Sequence, residues 1–347
     1  MKLFVPVVSL SVWNELYDAA ERFKARTPWE VLDDLDLIGV SDPATGETGY
    51  GVVLGSDGTF FGFCLYRGER GLHIYRQIID DERGEDAFAY QDGLMAEFGG
   101  RADLETEDLR ILKQLNRSYK GRAGWPILRS LLPGYLPWFL NESEARFLTL
   151  GLQTACHHLG RVERGEADES LREDNCLVYS PANDARTEFN ANWALLPENT
   201  HNRISAILDL AQINSLKSKH LRNDTAWEAD ILYFPVPVMD RERPYLVRVP
   251  AICNQISGIT YNATPATPDQ SDQQVLADAI CSVIERSTFK PDTLFVRDKY
   301  FAVALAPLAK AFDFTIRIRK KMESIQDLRA GMDQFLLRES KGGRRRK

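Results

Sequence analysis

From Trp227 to Ile318 the apolar residues change period in an order that restricts the fold. Asp230 to Val236, Tyr245 to Cys253 and Gly258 to Asn262 read as three strands, with turn-forming residues at 240–244 and 255–258 between them. A helix follows. Ser271 caps it, Gln274 completes a capping box, and Val275, Leu276, Ala279, Ile280, Val283 and Ile284 form its apolar stripe. Thr293 to Val296 is a fourth strand ending at Asp298, Leu305 to Phe312 a short helix with Pro307 in its first turn, and Phe314 to Ile318 a fifth strand. The order βββαβαβ predicts a mixed five-stranded sheet with the first strand beside the fourth, because a crossover between parallel strands is right-handed.

The preceding chain reads as α+β. Ser11 caps an amphipathic helix that runs through about Lys24 and is stopped by Thr27 and Pro28, and Leu37 to Val40, Gly49 to Leu54 and Thr59 to Tyr66 form an antiparallel meander. The glycines at 46, 49, 51 and 55 serve turns, since no helix start follows where a phosphate loop needs one. Helices are predicted near Gly71 to Ile79 and Asp86 to Phe98, and an ordered loop over the Pro- and Trp-rich residues 124–138. Asn141 and Glu144 form a capping box that opens a long helix carrying His157 and His158, which are expected to face solvent or satisfy the helix dipole. The acidic stretch Glu163 to Asp174 reads as a linker. The domains are therefore expected at 1–165 and 175–340, followed by a basic tail at 341–347. The second opens with two strands within Asn175 to Leu196 and a helix from Ile204 to Lys219, whose basic end answers its dipole.

Composition narrows the function classes. The chain has 347 residues, 44% hydrophobic and 27% charged, enough for two cored domains rather than a disordered polymer. No apolar run approaches bilayer length and the first residues do not make a signal peptide, so a cytoplasmic protein without a membrane partner is expected. Five isolated cysteines without zinc-ligand spacing read as buried thiols. The net charge of −7 hides an asymmetry: 19 Lys and Arg against 16 Asp and Glu from Asp224 onward, and 24 against 34 before it.

The C-terminal pattern resembles the RNase H-like fold of integrases and transposases. Trp227, Asp230, Ile231, Leu232 and Tyr233 are similar to that family's first strand, and Leu294 to Asp298 to its fourth. The resemblance implies that Asp230 and Asp298 are metal carboxylates, with Asp333 or Glu323 closing a catalytic triad around Mg²⁺. The chain departs from the family at Lys299, Tyr300 and Phe301, where a glycine and a small polar residue are usual, and at Asn254, where another Asp is common. The whole chain also resembles uncharacterised bacterial proteins built from two paired domains of unknown function. The likeness is carried by Trp13 to Ala20, Gly39 to Tyr50, Pro137 to Leu140, Trp227 to Asp230 and Arg243 to Tyr245.

Two function classes follow. One is a binding or regulatory protein, its partner a protein or nucleic acid, in which the acidic N-terminal domain meets a protein partner and a degenerate RNase H-like domain supplies a platform. The other is a Mg²⁺-dependent nuclease or strand-transfer enzyme using Asp230 and Asp298 with Asp333 or Glu323. Phosphate contacts are expected from Arg317, Arg319, Lys320, Lys321, Arg344, Arg345 and Arg346.

Overall fold

A computed structural model describes residues 4–80, 84–166, 171–172, 174–183, 186–198, 206–240 and 242–343. It is mixed α/β and divides into two units, Met1–Asn199 with Asp240–Arg243, and Thr200–Met239 with Pro244–Lys347.

The first unit opens with helix α1 (Leu10–Ala25), whose cap position is held by Ser9, two residues before the expected cap Ser11. Strands β1 (Ile38–Ser41), β2 (Thr48–Leu54) and β3 (Gly62–Arg67) form the predicted meander. Helix α2 (Gly68–Ile79) follows, then the short α3 (Ala87–Tyr90) and strand β4 (Gly93–Gly99), where a single helix was expected. The reason is the alternation of Leu94, Ala96 and Phe98, all buried in one core, with Met95 and Glu97. After α4 (Thr106–Gln114) the expected loop contains β5 (Trp125–Leu131), a strand buried along its whole length. Helix α5 (Glu142–Glu163) begins at the predicted capping box: Asn141 Oδ1 accepts from the Glu144 amide at 3.0 Å, and Glu144 Oε2 accepts from the Asn141 amide at 2.9 Å.

The expected linker does not end this unit. After β6 (Leu171–Arg172), strand β7 (Asn175–Pro181) returns to lie parallel beside β1, with Gly39 opposite Val178, and β8 (Phe189–Leu195) pairs antiparallel with β7. The sheet order is β5-β4-β3-β2-β1-β7-β6, with β8 on β7. A Cβ at Gly39 would lie 2.6 Å from Val178 Cγ2, so glycine is what lets the parallel seam close. Helices α1 and α5 cover one face through Leu16, Phe23, Leu148 and Leu152. Leu72 and Tyr75 of α2 cover Tyr50, Val52 and Cys64 on the other.

In the second unit, α6 (Leu210–Ser218) is capped by Asp209, whose carboxylate accepts from the amides of Ala211 and Gln212. Strand β9 (Arg222–Asn223) precedes β10 (Trp227–Val238), β11 (Tyr245–Asn254), β12 (Thr260–Asn262), α7 (Asp272–Ser287), β13 (Phe289–Lys290), β14 (Thr293–Val296), α8 (Lys299–Phe312), β15 (Thr315–Ile318) and α9 (Glu323–Gly343). Five of these strands form a sheet in the order β12-β11-β10-β14-β15, and β13 pairs with β9. β11 runs antiparallel to β10 while β14 and β15 run parallel to the first strand, so β10 lies beside the fourth strand of the sheet. Met322 and Ile325 at the start of α9 pack on Leu232, Phe234 and Phe295. The opposite face holds α7, anchored where Tyr233 Oη donates to Asp272 Oδ1 at 2.8 Å. Helix α8 starts six residues earlier than expected, so Pro307 lies in its interior. Proline at 307 removes the amide that would otherwise donate to the Val303 carbonyl one turn earlier.

Candidate functional site

The residues predicted to carry chemistry converge on β10 and β14. Their register sets Ala229 opposite Val296, which brings Asp230 opposite Arg297 rather than Asp298. Asp230 is 4% exposed. Its Oδ2 accepts from Arg297 Nε at 2.9 Å and lies 2.8 Å from Arg297 Nη2, while its Oδ1 accepts from the Ile231 amide at 2.8 Å. Arg297 also donates to the Ile231 carbonyl at 3.0 Å. The guanidinium beside this buried carboxylate counters its charge and fills its acceptors, which is how such a group is tolerated inside a protein.

Asp298 has a different role. Its Oδ1 accepts from the amides of Tyr300 at 2.9 Å and Phe301 at 3.0 Å, making it the N-cap of α8. This explains Lys299, Tyr300 and Phe301: they are the first helical turn, and Tyr300 and Phe301 are core residues.

Glu228, two residues before Asp230, was not singled out from sequence. It is 1% exposed, and its Oε2 accepts from the Ser324 amide at 2.9 Å, closing the start of α9 onto β10. Burial pushes its carboxyl up, against the pull of the Ile325 and Ser324 amides and of Arg319. The signal available was a second acid in a run where both faces of the strand are apolar. Glu323 and Asp333, the candidate third acids on α9, are both exposed.

Asn254, at the end of β11, closes a turn instead of holding a metal. Its Oδ1 accepts from the amides of Ile256 and Ser257, and its Nδ2 donates to Thr225 Oγ1 at 2.9 Å and Asp224 Oδ2 at 3.2 Å. Asp224 also accepts from Tyr261 Oη at 2.6 Å and Trp227 Nε1 at 2.7 Å. Burial raises the Asp224 carboxyl, but these donors outweigh it and the net direction is down. Among the described residues no group of three or more His, Cys, Asp or Glu side chains is arranged to hold a metal ion.

The basic residues divide. Arg317, Lys320 and Lys321 are exposed at the sheet edge. Arg319 turns inward, its guanidinium 3.6 Å from the Phe295 ring centroid and 3.8 Å from Glu228 Oε1. The residues Arg344, Arg345 and Arg346 lie outside the described residues. In the first unit His158, expected to face solvent or satisfy the helix dipole, is 1% exposed, and its Nδ1 is 2.8 Å from Tyr179 Oη. Burial, with Arg161 and His157, holds its imidazole down at about 4. The cysteines are free thiols, four buried and Cys156 half-buried.

Two adjacent domains of unknown function are found in this chain. Residues 13–179 match a domain of unknown function (DUF7309), and residues 212–333 match a domain of unknown function (DUF6930). No curated protein and no solved structure matches. The DUF7309 match ends at Tyr179, inside β7, so it takes in the parallel seam with β1 but not β8. The DUF6930 match runs from α6 into α9 and holds Glu228, Asp230, Arg297 and Asp298. Among the described residues no helix is long and apolar enough to cross a membrane.

Proposed function

We propose that the chain is a binding or regulatory protein, in which an RNase H-like domain has given up two-metal chemistry and acts as a platform for a partner. The sheet order, with its antiparallel second strand and parallel fourth and fifth strands, supports the RNase H-like reading. The observation that carries the loss of chemistry is the ion pair between Asp230 and Arg297. A two-metal site needs carboxylates that share divalent ions between an attacking and a leaving oxygen. Here a metal at Asp230 would have to expel a guanidinium and leave that cation buried without its partner, a strongly unfavourable exchange. Asp298 is turned to a different task, its Oδ1 held by two amides at the start of α8. The residues therefore do not fit Mg²⁺.

The test is a titration of the full-length protein with Mn²⁺, read by electron paramagnetic resonance, beside cleavage assays on single- and double-stranded DNA and RNA. The binding reading predicts no Mn²⁺ site that depends on Asp230 and no metal-dependent cleavage. Mn²⁺ uptake or cleavage abolished by Asp230→Asn, with the fold retained by circular dichroism, would return the enzyme reading to first place.

A further inference from the structure

Helix α5 meets strand β7 in the first unit through a buried hydroxyl. His158 Nδ1 lies 2.8 Å from Tyr179 Oη, and Arg161 Nη1 donates to the same oxygen at 3.3 Å. Both His158 and Tyr179 are 1% exposed. With Arg161 already donating to the oxygen, the phenol hydrogen is left to donate to Nδ1, which accepts only while the imidazole is neutral. The neighbouring His157 ring lies 5.7 Å from that of Tyr179 and 5.0 Å from that of Phe189 on β8, so both histidines of α5 lean on the β7–β8 pair.

Tyr179 is also part of the seam that completes the sheet. β7 meets β1 at two ladder positions, Gly39 with Val178 and Val40 with Tyr179, whereas β2 and β3 share six. Parallel pairs are also slightly less stable per residue than antiparallel ones. Much of the hold on β7 therefore falls to its side chains: Leu177 and Tyr179 in the core that α5 covers, and Cys176 in the core on the α2 side. Helix α5 is fixed more firmly at this point, since Leu159 beside His158 is fully buried along with Leu152 and Ala155 of the same helix.

The charges around His158 are one-sided. Burial, followed by Arg161 and His157 on its own helix, opposes a positive imidazole there. Strand β7 presents the Tyr179 hydroxyl, and β1 has no titratable side chain. Arg26 of α1 pairs with Glu163, while Glu166 past the end of α5 pairs with Arg164 and lies 3.9 Å from Arg161, so both carboxylates are engaged with arginines. A proton on His158 removes the acceptor for the phenol hydrogen and sets a charge in a dry site beside Arg161, a cost that ends once the ring reaches water. We propose that this contact is an acid-released clasp: protonation of His158 frees β7, with β8 paired to it, from α5 and β1, while the meander and helices α1 and α5 stay folded.

The chain carries its own reporters, because Cys176 on β7 and Cys64 on β3 are both buried free thiols. An acid-active disulfide reagent, 4,4′-dithiodipyridine, labels whichever thiol becomes exposed, and peptide mass spectrometry of the full chain gives the two rates. Between pH 7 and pH 4.5 the labelling of Cys176 relative to Cys64 should rise about tenfold or more, the reagent's own pH dependence cancelling in the ratio. His158→Gln should abolish the rise, and Arg161→Gln should reduce it by relieving the repulsion, with circular dichroism at pH 7 reporting an intact fold. Equal acceleration of the two thiols, a rise that neither substitution changes, or protection of Cys176 throughout would each overturn the proposal.

Discussion

The guanidinium of Arg319 lies 3.6 Å from the centroid of the Phe295 ring, and its Nη1 is 3.8 Å from the buried carboxylate of Glu228. A basic cluster that looks continuous along the chain is therefore split, with one member built into the sheet and its neighbours left at the surface.

That split is measurable in nucleic-acid binding. Arg317, Lys320 and Lys321 should contribute about three phosphate contacts, so the salt dependence of log affinity should have a slope of about −2 to −3. Lys320→Glu with Lys321→Glu should flatten this slope, while Arg319→Gln should leave it unchanged and lower stability by about 1 kcal/mol through the lost cation–π contact. Fluorescence anisotropy at several salt concentrations, with urea unfolding alongside, checks both.

Breaking the Asp230–Arg297 pair from one side should cost far more than replacing it. Arg297→Met leaves a buried carboxylate without its guanidinium and should destabilise the second unit by about 3 kcal/mol. Adding Asp230→Asn should recover most of that loss. Urea denaturation of the single and double variants supplies the comparison.

His158 predicts a dependence on acid. Its imidazole is held down at about 4 in the folded chain against an ordinary 6.5. The stabilisation is complete above pH 6.5, where both states are neutral, and is lost as pH falls towards 4, because the unfolded chain takes up the proton first. The gap sets a ceiling of about 3 kcal/mol. Thermal melts between pH 7 and 4.5 should show this decline, and His158→Gln should reduce its steepness.

Glu144 has three roles at the start of α5. It completes the capping box, accepts from Ser130 Oγ at 2.7 Å and pairs with Arg67 at 2.7 Å. Asn141→Ala should cost about 1 kcal/mol, the usual value of a cap. Glu144→Ala should cost about 3 kcal/mol, because it also strips a partner from half-buried Arg67. Chemical denaturation separates the two.

What the sequence revealed depended on how local the cause was. The capping box at Asn141, the N-cap at Ser271, the meander from Leu37 and the strand from Asp230 each rest on residues a few positions apart, and all were legible, although Gln274, expected to close a second box, instead bonds Ile207. Strand β4 was obscured because Ala87 to Tyr90 does form a turn of helix just before the two-residue alternation begins. At the candidate site the types and positions of the acids were readable, but the register of β10 against β14 was not. One residue of register decides whether Asp230 meets Asp298 or Arg297, and it arises from contacts between segments far apart in the chain.

The pairing of β1 with β7 joins Gly39 to Val178, 139 residues later. During synthesis β1 waits as an open edge while the meander and α5 emerge, and the sheet cannot be completed until β7 has left the ribosome. Such a topology has high contact order, so folding of the first unit should be slow relative to its size. A fragment cut at residue 165 would keep nearly all of the helical core yet leave that edge permanently unfilled, and should aggregate where a fragment ending at 198 stays in solution.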